Sequence, residues 1–356
     1  MSSNKPSVLF LMPTFGSQPI GGYKIIFEYA NRLASDGYRV SIAYAGIILK
    51  NFLRKSFKEK IKTVKLLIRG FHGKTARIWF PLNNSIVELF PLTLNYSQEL
   101  KADIYIATAC LTAKYAASYP QGKKYYFIQG YETWDMSEKE LDQTYSLPLK
   151  KIVVSNWLHD LLTSRGYDST IIKNGFDFNE FHLTVPIEEK MPRSISVMYH
   201  QAPVKGFQTA FKALDMVRAR YDISVTAFGM KLEEPLPTWI KFVETPSPEE
   251  HLRINNQSSI YLTASFSEGW GLTIGEAMMC GQAVVCTATK GFLEMAVNQR
   301  NALISPIGDH EALAQSLIAL IEDDELRQRI ARQGLEDIKR FNLEESYYQF
   351  KKMIAE

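Results

Sequence analysis

The chain has 356 residues, more than one hydrophobic core comfortably fills, so two α/β domains of ordinary size are expected. Apolar content of 46% and charged content of 22% are globular values, and a formal net charge of +3 gives no overall field that would select nucleic acid. No run of 18 apolar residues exists to span a membrane, and the three cysteines, Cys110, Cys280 and Cys286, form no CxxC pair. Cys110 and Cys286 lie in apolar, strand-like runs and read as reduced core residues of a cytosolic protein. The first six residues are short and polar and lead straight into an apolar run too short for a signal peptide.

In chain order, 8–12 is a buried-strand pattern and 13–22 a loop with Pro13, Gly16, Pro19, Gly21 and Gly22. A helix over 23–35 carries Ile26, Tyr29, Ala30 and Leu33 on one face, Gly37 stops it, and 38–45 returns to strand. Further strands are expected at 103–108, 124–129, 151–155 and 169–173, with a helix over 156–165. The polar stretch 186–193 holds Pro186 and Pro192 and reads as the linker. It separates an N-terminal domain, 1–185, from a C-terminal domain, 194–342. The second domain alternates strand and helix in the same way: strands at 194–199, 223–228, 239–243, 260–264 and 283–286, helices at 207–220, 247–255, 273–279, 309–322 and 325–339. Ser247, Pro248 and Glu250 stand at the N-cap, N1 and N3 positions of a capping box. A last helix is expected within 343–356. The class is α/β, two facing Rossmann-like domains with a cleft at the C-terminal ends of their parallel strands, where ligands of open α/β sheets bind.

The segment 265–285, Ser-Phe-Ser-Glu268-Gly-Trp-Gly-Leu-Thr-Ile-Gly-Glu276-Ala-Met-Met-Cys-Gly-Gln-Ala-Val-Val, resembles the signature of the retaining glycosyltransferase family 4, whose fold is GT-B. Two glutamates are separated by seven intervening residues, with Gly-aromatic-Gly-Leu after the first and Ala-Met-x-Cys-Gly-x-x-Val-Val after the second. Gly21-Gly22 after the first strand, Asn174-Gly175-Phe176-Asp177, Lys205-Gly206 and Ile307-Gly308-Asp309 follow the same pattern in order. The likeness is strong over 150–345 and weak over 46–100. It implies a final helix packing back toward the first domain, a nucleotide-sugar donor held by the second domain and a glycan or lipid-linked glycan acceptor met by the first. Two positions depart from the family. His200 stands where an arginine is usual, and Gln129 where a histidine is usual. Both departures resemble a subgroup with bacterial rhamnosyltransferases that use dTDP-rhamnose, in surface polysaccharide synthesis.

The resemblance assigns roles that the residues can physically fill. Glu276, expected in the first turn of a helix, would accept from two vicinal sugar hydroxyls. Glu268 would lie beside the donor sugar. Gly269, Trp270, Gly271, Leu272 and Thr273 lead into a helix N-terminus, a natural phosphate cradle. Lys205 would set an ammonium against the diphosphate, stabilising leaving-group charge without a metal. His200 would donate a hydrogen bond there. Gly21 and Gly22 form a weak glycine loop under the diphosphate, and Gln129 faces the transferred sugar. Gly229 would leave room for the base, with Thr245 and Pro246 at its border. Tyr23, Tyr131 and Glu132 are acceptor-side candidates, and Ser155 and Asn174 read as supports of the cleft. No Asp-x-Asp pair is present to hold a metal, and no cofactor is expected.

Other classes stay open on the residues alone. A UDP-hexose-dependent enzyme of the same fold, a phosphorylase or epimerase, and a non-catalytic nucleotide-sugar or glycan-binding protein all suit such a cleft. A dehydrogenase would need the three-glycine fingerprint, which is missing. Residues 50–77 form a basic amphipathic segment, with Lys55, Lys58, Lys62, Lys65 and Arg77 among its cations and Glu59 its single acid. That composition suits an anionic membrane surface, and hence a peripheral position on the cytoplasmic face of the inner membrane. It equally suits a solvated helix packed on its own domain.

Overall fold

The computed structural model describes residues 5–14, 19–44, 76–91, 94–232 and 234–356. The chain divides into an N-terminal unit, residues 1–174 with 344–356, and a C-terminal unit, residues 175–343.

The N-terminal unit runs β1 (Ser7–Met12), α1 (Gly21–Ser35), β2 (Arg39–Tyr44), β3 (Val87–Leu89), β4 (Ile104–Ala107), α2 (Cys110–Ser118), β5 (Lys123–Ile128), α3 (Glu138–Tyr145), β6 (Lys150–Val153), α4 (Asn156–Ser164) and β7 (Thr170–Ile171). Its seven strands lie in the order β3-β2-β1-β4-β5-β6-β7, every pairing parallel. Val8 to Met12 are all buried, as a parallel strand covered on both faces requires. The chain's last helix, α10 (Leu343–Ala355), completes this unit. Phe350 is fully buried and stacks on Tyr29 at 4.6 Å between ring centroids, while Tyr347 and Lys351 both bond Asp36.

The C-terminal unit runs β8 (Ser194–Tyr199), α5 (Phe207–Arg218), β9 (Ser224–Gly229), β10 (Ile240–Glu244), α6 (Pro248–Gln257), β11 (Ile260–Leu262), α7 (Leu272–Met279), β12 (Ala283–Thr287), β13 (Ala302–Ser305), α8 (His310–Glu322) and α9 (Asp324–Asp337). Its strand order is β10-β9-β8-β11-β12-β13, again all parallel. In both sheets the order reverses beside the first strand, between β1 and β4 and between β8 and β11. The crevice outside the strand ends at such a reversal is the ligand position of doubly wound sheets.

The division falls ahead of the 186–193 linker that composition suggests. Residues 175–193 are a strap bound to the C-terminal unit. The main-chain N–H groups of Thr184 and Val185 bond Asn256 Oδ1, and the buried Lys190 ammonium donates to the carbonyls of Asn255, Ser258 and Cys280. Gly275 has no Cβ because one would lie 2.0 Å from the Phe176 ring. Three further local expectations are corrected. Cys110 is the first residue of α2 rather than part of a strand. The helix after β1 begins at Gly21, with Ile20 as N-cap. Ser247 caps α6 by accepting from Glu250 N–H and its hydroxyl donates to Glu249, but its main-chain N–H does not reach the Glu250 carboxylate to complete the box.

Candidate functional site

The loops that leave β8 and β11 emerge side by side at the reversal of the C-terminal sheet, and they carry Lys205 and Glu268. Lys205 closes a short 3-10 turn, Pro203–Lys205, before Gly206. Its ammonium sits 2.8 and 2.9 Å from the two Glu268 carboxylate oxygens. The pair is 28% and 12% exposed, so water screens it only in part. Ser265 Oγ also donates to Glu268 Oε1, at 2.8 Å. The two loops are clipped main chain to main chain. Phe266 N–H donates to the Val204 carbonyl at 2.7 Å, and a Cβ on Gly206 would lie 1.9 Å from the Ala264 carbonyl oxygen. Gly206 also has φ +65°, a left-handed conformation that glycine adopts without strain.

His200 follows β8, and its Nδ1 accepts from Ala202 N–H, which leaves Nε2 to carry the ring proton. Loss of solvent around the ring, and then the Lys205 ammonium, hold its pKa below the usual histidine value, against the pull of Glu268. At neutral pH it is therefore a neutral donor, not a substitute cation.

Gly269 precedes two residues that behave differently from one another. Gly271 caps α7 at φ +113°, where a Cβ would strike the Phe292 ring, and Leu272 and Thr273 open the helix. Trp270 turns inward: it is 3% exposed and packs edge-on against Phe341 at 5.1 Å. Its ring is therefore part of the core and does not line an open surface. Glu276 is the fifth residue of α7, just past the first turn where it was expected, and is 8% exposed. Gly229 ends β9, but its missing Cβ makes room for the Tyr199 carbonyl, 2.3 Å from where that carbon would be, rather than for a base. Thr245 follows β10 at φ +48°, and its N–H bonds the Gly229 carbonyl at 2.6 Å. A recess of about 800 Å³ lies nearby, lined by Tyr199, His200, Val204, Phe207, Phe211 and Phe266 among others. It is largely apolar, and neither Lys205, Glu268 nor Glu276 opens into it.

In the N-terminal unit the segment after β5 ties the neighbouring loops together through side chains. Gln129 Nε2 donates to the Gly22 carbonyl at 3.0 Å, securing the start of α1. The Tyr131 hydroxyl accepts from Arg165 of α4 at 2.8 Å. Glu132 is 8% exposed and takes the first N–H of α2, that of Cys110, at 2.5 Å. Burial pushes its carboxyl up to about 7, with Asp135 adding to the rise and the bonds from Cys110 opposing it. Tyr23 bonds Thr14, and burial pushes its phenol up to about 12. Gly21 stands beside Gly22 at the head of α1. These acceptor-side candidates are thus occupied in shaping their own unit. Ser155 Oγ and Asn174 Oδ1 are buried without a hydrogen-bond partner among the described residues.

Sequence reasoning missed Ser265, Thr287, Gly291 and Arg165. Nothing in a single serine or threonine beside a glutamate marks it as a support. Residues 50–75 lie outside the described residues. Arg77, at the end of the basic segment, bonds Glu88 and the carbonyls of Leu82 and Ile86, and so serves its own domain. Among the described residues no group of three or more His, Cys, Asp or Glu is placed to share a metal ion, and no helix is long and apolar enough to cross a membrane.

The family described as Glycosyl transferases group 1 matches residues 185–337, which include His200, Lys205, Glu268 and Glu276. The chain is 25% identical over 160 residues to the O-antigen chain mannosyltransferase B of Escherichia coli, covering 42% of each chain. It is 24% identical over 190 residues to the phosphatidyl-myo-inositol mannosyltransferase of Mycolicibacterium smegmatis, covering 50% of this chain and 49% of that one. These matches span about half the length of the curated relatives or less. Among solved structures, sucrose-phosphate synthase from Thermosynechococcus elongatus superposes with a TM-score of 0.74 at 14% identity, covering 98% of each chain. Anabaena HepE in complex with UDP-glucose does so with a TM-score of 0.73 at 17% identity, covering 98% of this chain and 99% of that one. These likenesses establish the double Rossmann-like GT-B fold.

Proposed function

We propose that this chain is a retaining, metal-independent glycosyltransferase that moves a sugar from a nucleotide-sugar to a glycan or lipid-linked glycan acceptor. The observation that carries this reading is the Lys205–Glu268 pair, set at the strand-order reversal of the C-terminal sheet inside the matched region. An ammonium has three protons, so Lys205 can share itself between Glu268 and a phosphate oxygen. As the glycosidic bond to the β-phosphate breaks, charge grows on that phosphate, and a cation already in place stabilises it without reorganising. The α7 N-terminus adds main-chain N–H groups behind Gly271. Glu276 would take the ribose hydroxyls and Glu268 the sugar, with the acceptor proton leaving on the departing phosphate.

The donor favoured here is dTDP-rhamnose, on the His200 and Gln129 positions. A neutral His200 suits a site in which Lys205 supplies the charge. The test is release of nucleoside diphosphate from dTDP-rhamnose, UDP-glucose, UDP-galactose and GDP-mannose, with and without EDTA. Turnover of dTDP-rhamnose above the others, undiminished by chelator, is the expected result. Preference for UDP-glucose overturns the donor, loss on EDTA with recovery on Mg²⁺ overturns metal independence, and no release from any donor overturns the enzyme. Peripheral attachment to an anionic membrane through residues 50–77 is a separate proposal resting on their sequence. It predicts salt-sensitive co-sedimentation with anionic vesicles that Lys55, Lys58, Lys62 and Lys65 exchanged to glutamate abolish.

A further inference from the structure

The Lys205–Glu268 pair raises a physical difficulty. A cation that shares its protons with an incoming diphosphate holds its carboxylate partner less firmly, just when the carboxylate's orientation is needed. Ser265 removes that difficulty. Its side chain is fully buried, its hydroxyl donates to Glu268 Oε1 at 2.8 Å, and it carries no charge for a phosphate to compete for. Ser265 is itself held from behind. Its carbonyl accepts from the buried Thr287 hydroxyl at 2.5 Å, at the end of β12. The next residue, Phe266, is pinned to Val204 in the Lys205 turn. On the opposite side Gly291 lies against the Glu268 main chain, where a Cβ would stand 2.5 Å from the Glu268 carbonyl oxygen.

Resting on the glycosyl-transfer reading above, we infer that Ser265 is a positioning residue for Glu268: it keeps the carboxylate aimed when the donor diphosphate takes a share of Lys205, with Gly291 packed against the glutamate main chain. Ser265 acts through Glu268 and touches no substrate itself. Its removal therefore affects turnover rather than nucleotide affinity, and has nothing further to remove once Glu268 is gone.

The experiment uses the full chain as wild type, Ser265→Ala, Glu268→Ala and the double variant. Nucleoside diphosphate release is measured on whichever of the four nucleotide-sugars wild type turns over, and affinity for the matching nucleoside diphosphate by calorimetry. Ser265→Ala should lower kcat about ten-fold with KM and nucleotide affinity changed less than about two-fold, and the double variant should match Glu268→Ala within about two-fold. Gly291→Ala, which keeps the serine hydroxyl but displaces the glutamate main chain, should show the same signature. Wild-type kcat in Ser265→Ala overturns the inference while leaving the glycosyltransferase reading standing. So does a further ten-fold loss when Ser265→Ala is added to Glu268→Ala, which marks a structural role independent of Glu268. If wild type turns over none of the donors, the parent reading and this inference fall together.

Discussion

The strand-end loops of the two units are held by different means. In the C-terminal unit close main-chain contacts underlie the Lys205–Glu268 and Ser265–Glu268 side-chain bonds. Gly206 lies on the Ala264 carbonyl, Gly291 on Glu268, and Gly229 on Tyr199, each too close for a side chain. In the N-terminal unit the corresponding loops are joined by side chains: Gln129 to Gly22, Arg165 to Tyr131, Glu132 to Cys110, and Tyr23 to Thr14. A main-chain contact fixes both the residue type and the geometry, and so leaves a readable pattern of glycines. A side-chain tie can be made by many residue pairs. The family match covers residues 185–337, within the unit that carries these glycine contacts.

The largest effect is expected where the donor would be gripped. Glu276→Ala should cut transfer about 100-fold or more, while the melting temperature moves by only a few degrees. Retention of most wild-type transfer would remove Glu276 from the site and, with it, the contrast between the units. Next in size is Lys190→Met in the strap. Three buried carbonyls lose their donor, and about 3 kcal/mol of stability should go with it in denaturant unfolding, with transfer unchanged below the transition. An unchanged unfolding midpoint would mean that the strap does not hold residues 175–193 to the C-terminal unit.

A slightly smaller and pH-dependent effect is expected at Glu132. Its folded value of about 7 lies above the ordinary 4.5, so protons bind the folded state more tightly. The stability this contributes is full below about 4.5 and is lost as pH rises through about 7. Glu132→Gln keeps an acceptor for the Cys110 N–H but cannot ionise. It should match wild type near pH 4.5 and exceed it above pH 7, by up to about 3 kcal/mol. Parallel stability curves for the two proteins would show that Glu132 is not buried as described. Smallest is Gln129→Ala, which gives up one bond to the glycine turn and should cost about 1 kcal/mol in unfolding.

Much of the fold was legible because its signals are periodic. The apolar runs at β1, β5 and β12 and the amphipathic faces of α1 and α5 lie within a residue or two of where the pattern puts them. The misses have physical causes. The strand β3 is three residues long, and Cys110 looks strand-like because α2 opens on small apolar residues inside a buried layer. The strap 175–193 looks like a linker because its prolines and charges are visible in sequence, whereas the three carbonyls that receive Lys190 come from distant segments. At the site, Lys205, Glu268 and the glycines were found through the family resemblance of the segments that carry them. The Trp270 ring, between two glycines, is covered by Phe341, 71 positions later, a contact that no local pattern announces. Ser265 went unnoticed because its importance depends on the rotamer of Glu268.

On the function proposed above, the C-terminal loops hold the donor through Lys205. The most direct measurement is the shift in melting temperature produced by UDP, GDP, ADP and dTDP in wild type, Lys205→Ala and Gln129→Ala, since a ligand stabilises only a fold that binds it. At least one nucleotide should raise the melting temperature of wild type and of Gln129→Ala alike, and the shift should vanish in Lys205→Ala. An equal shift in Lys205→Ala, or its loss in Gln129→Ala, would contradict the claim.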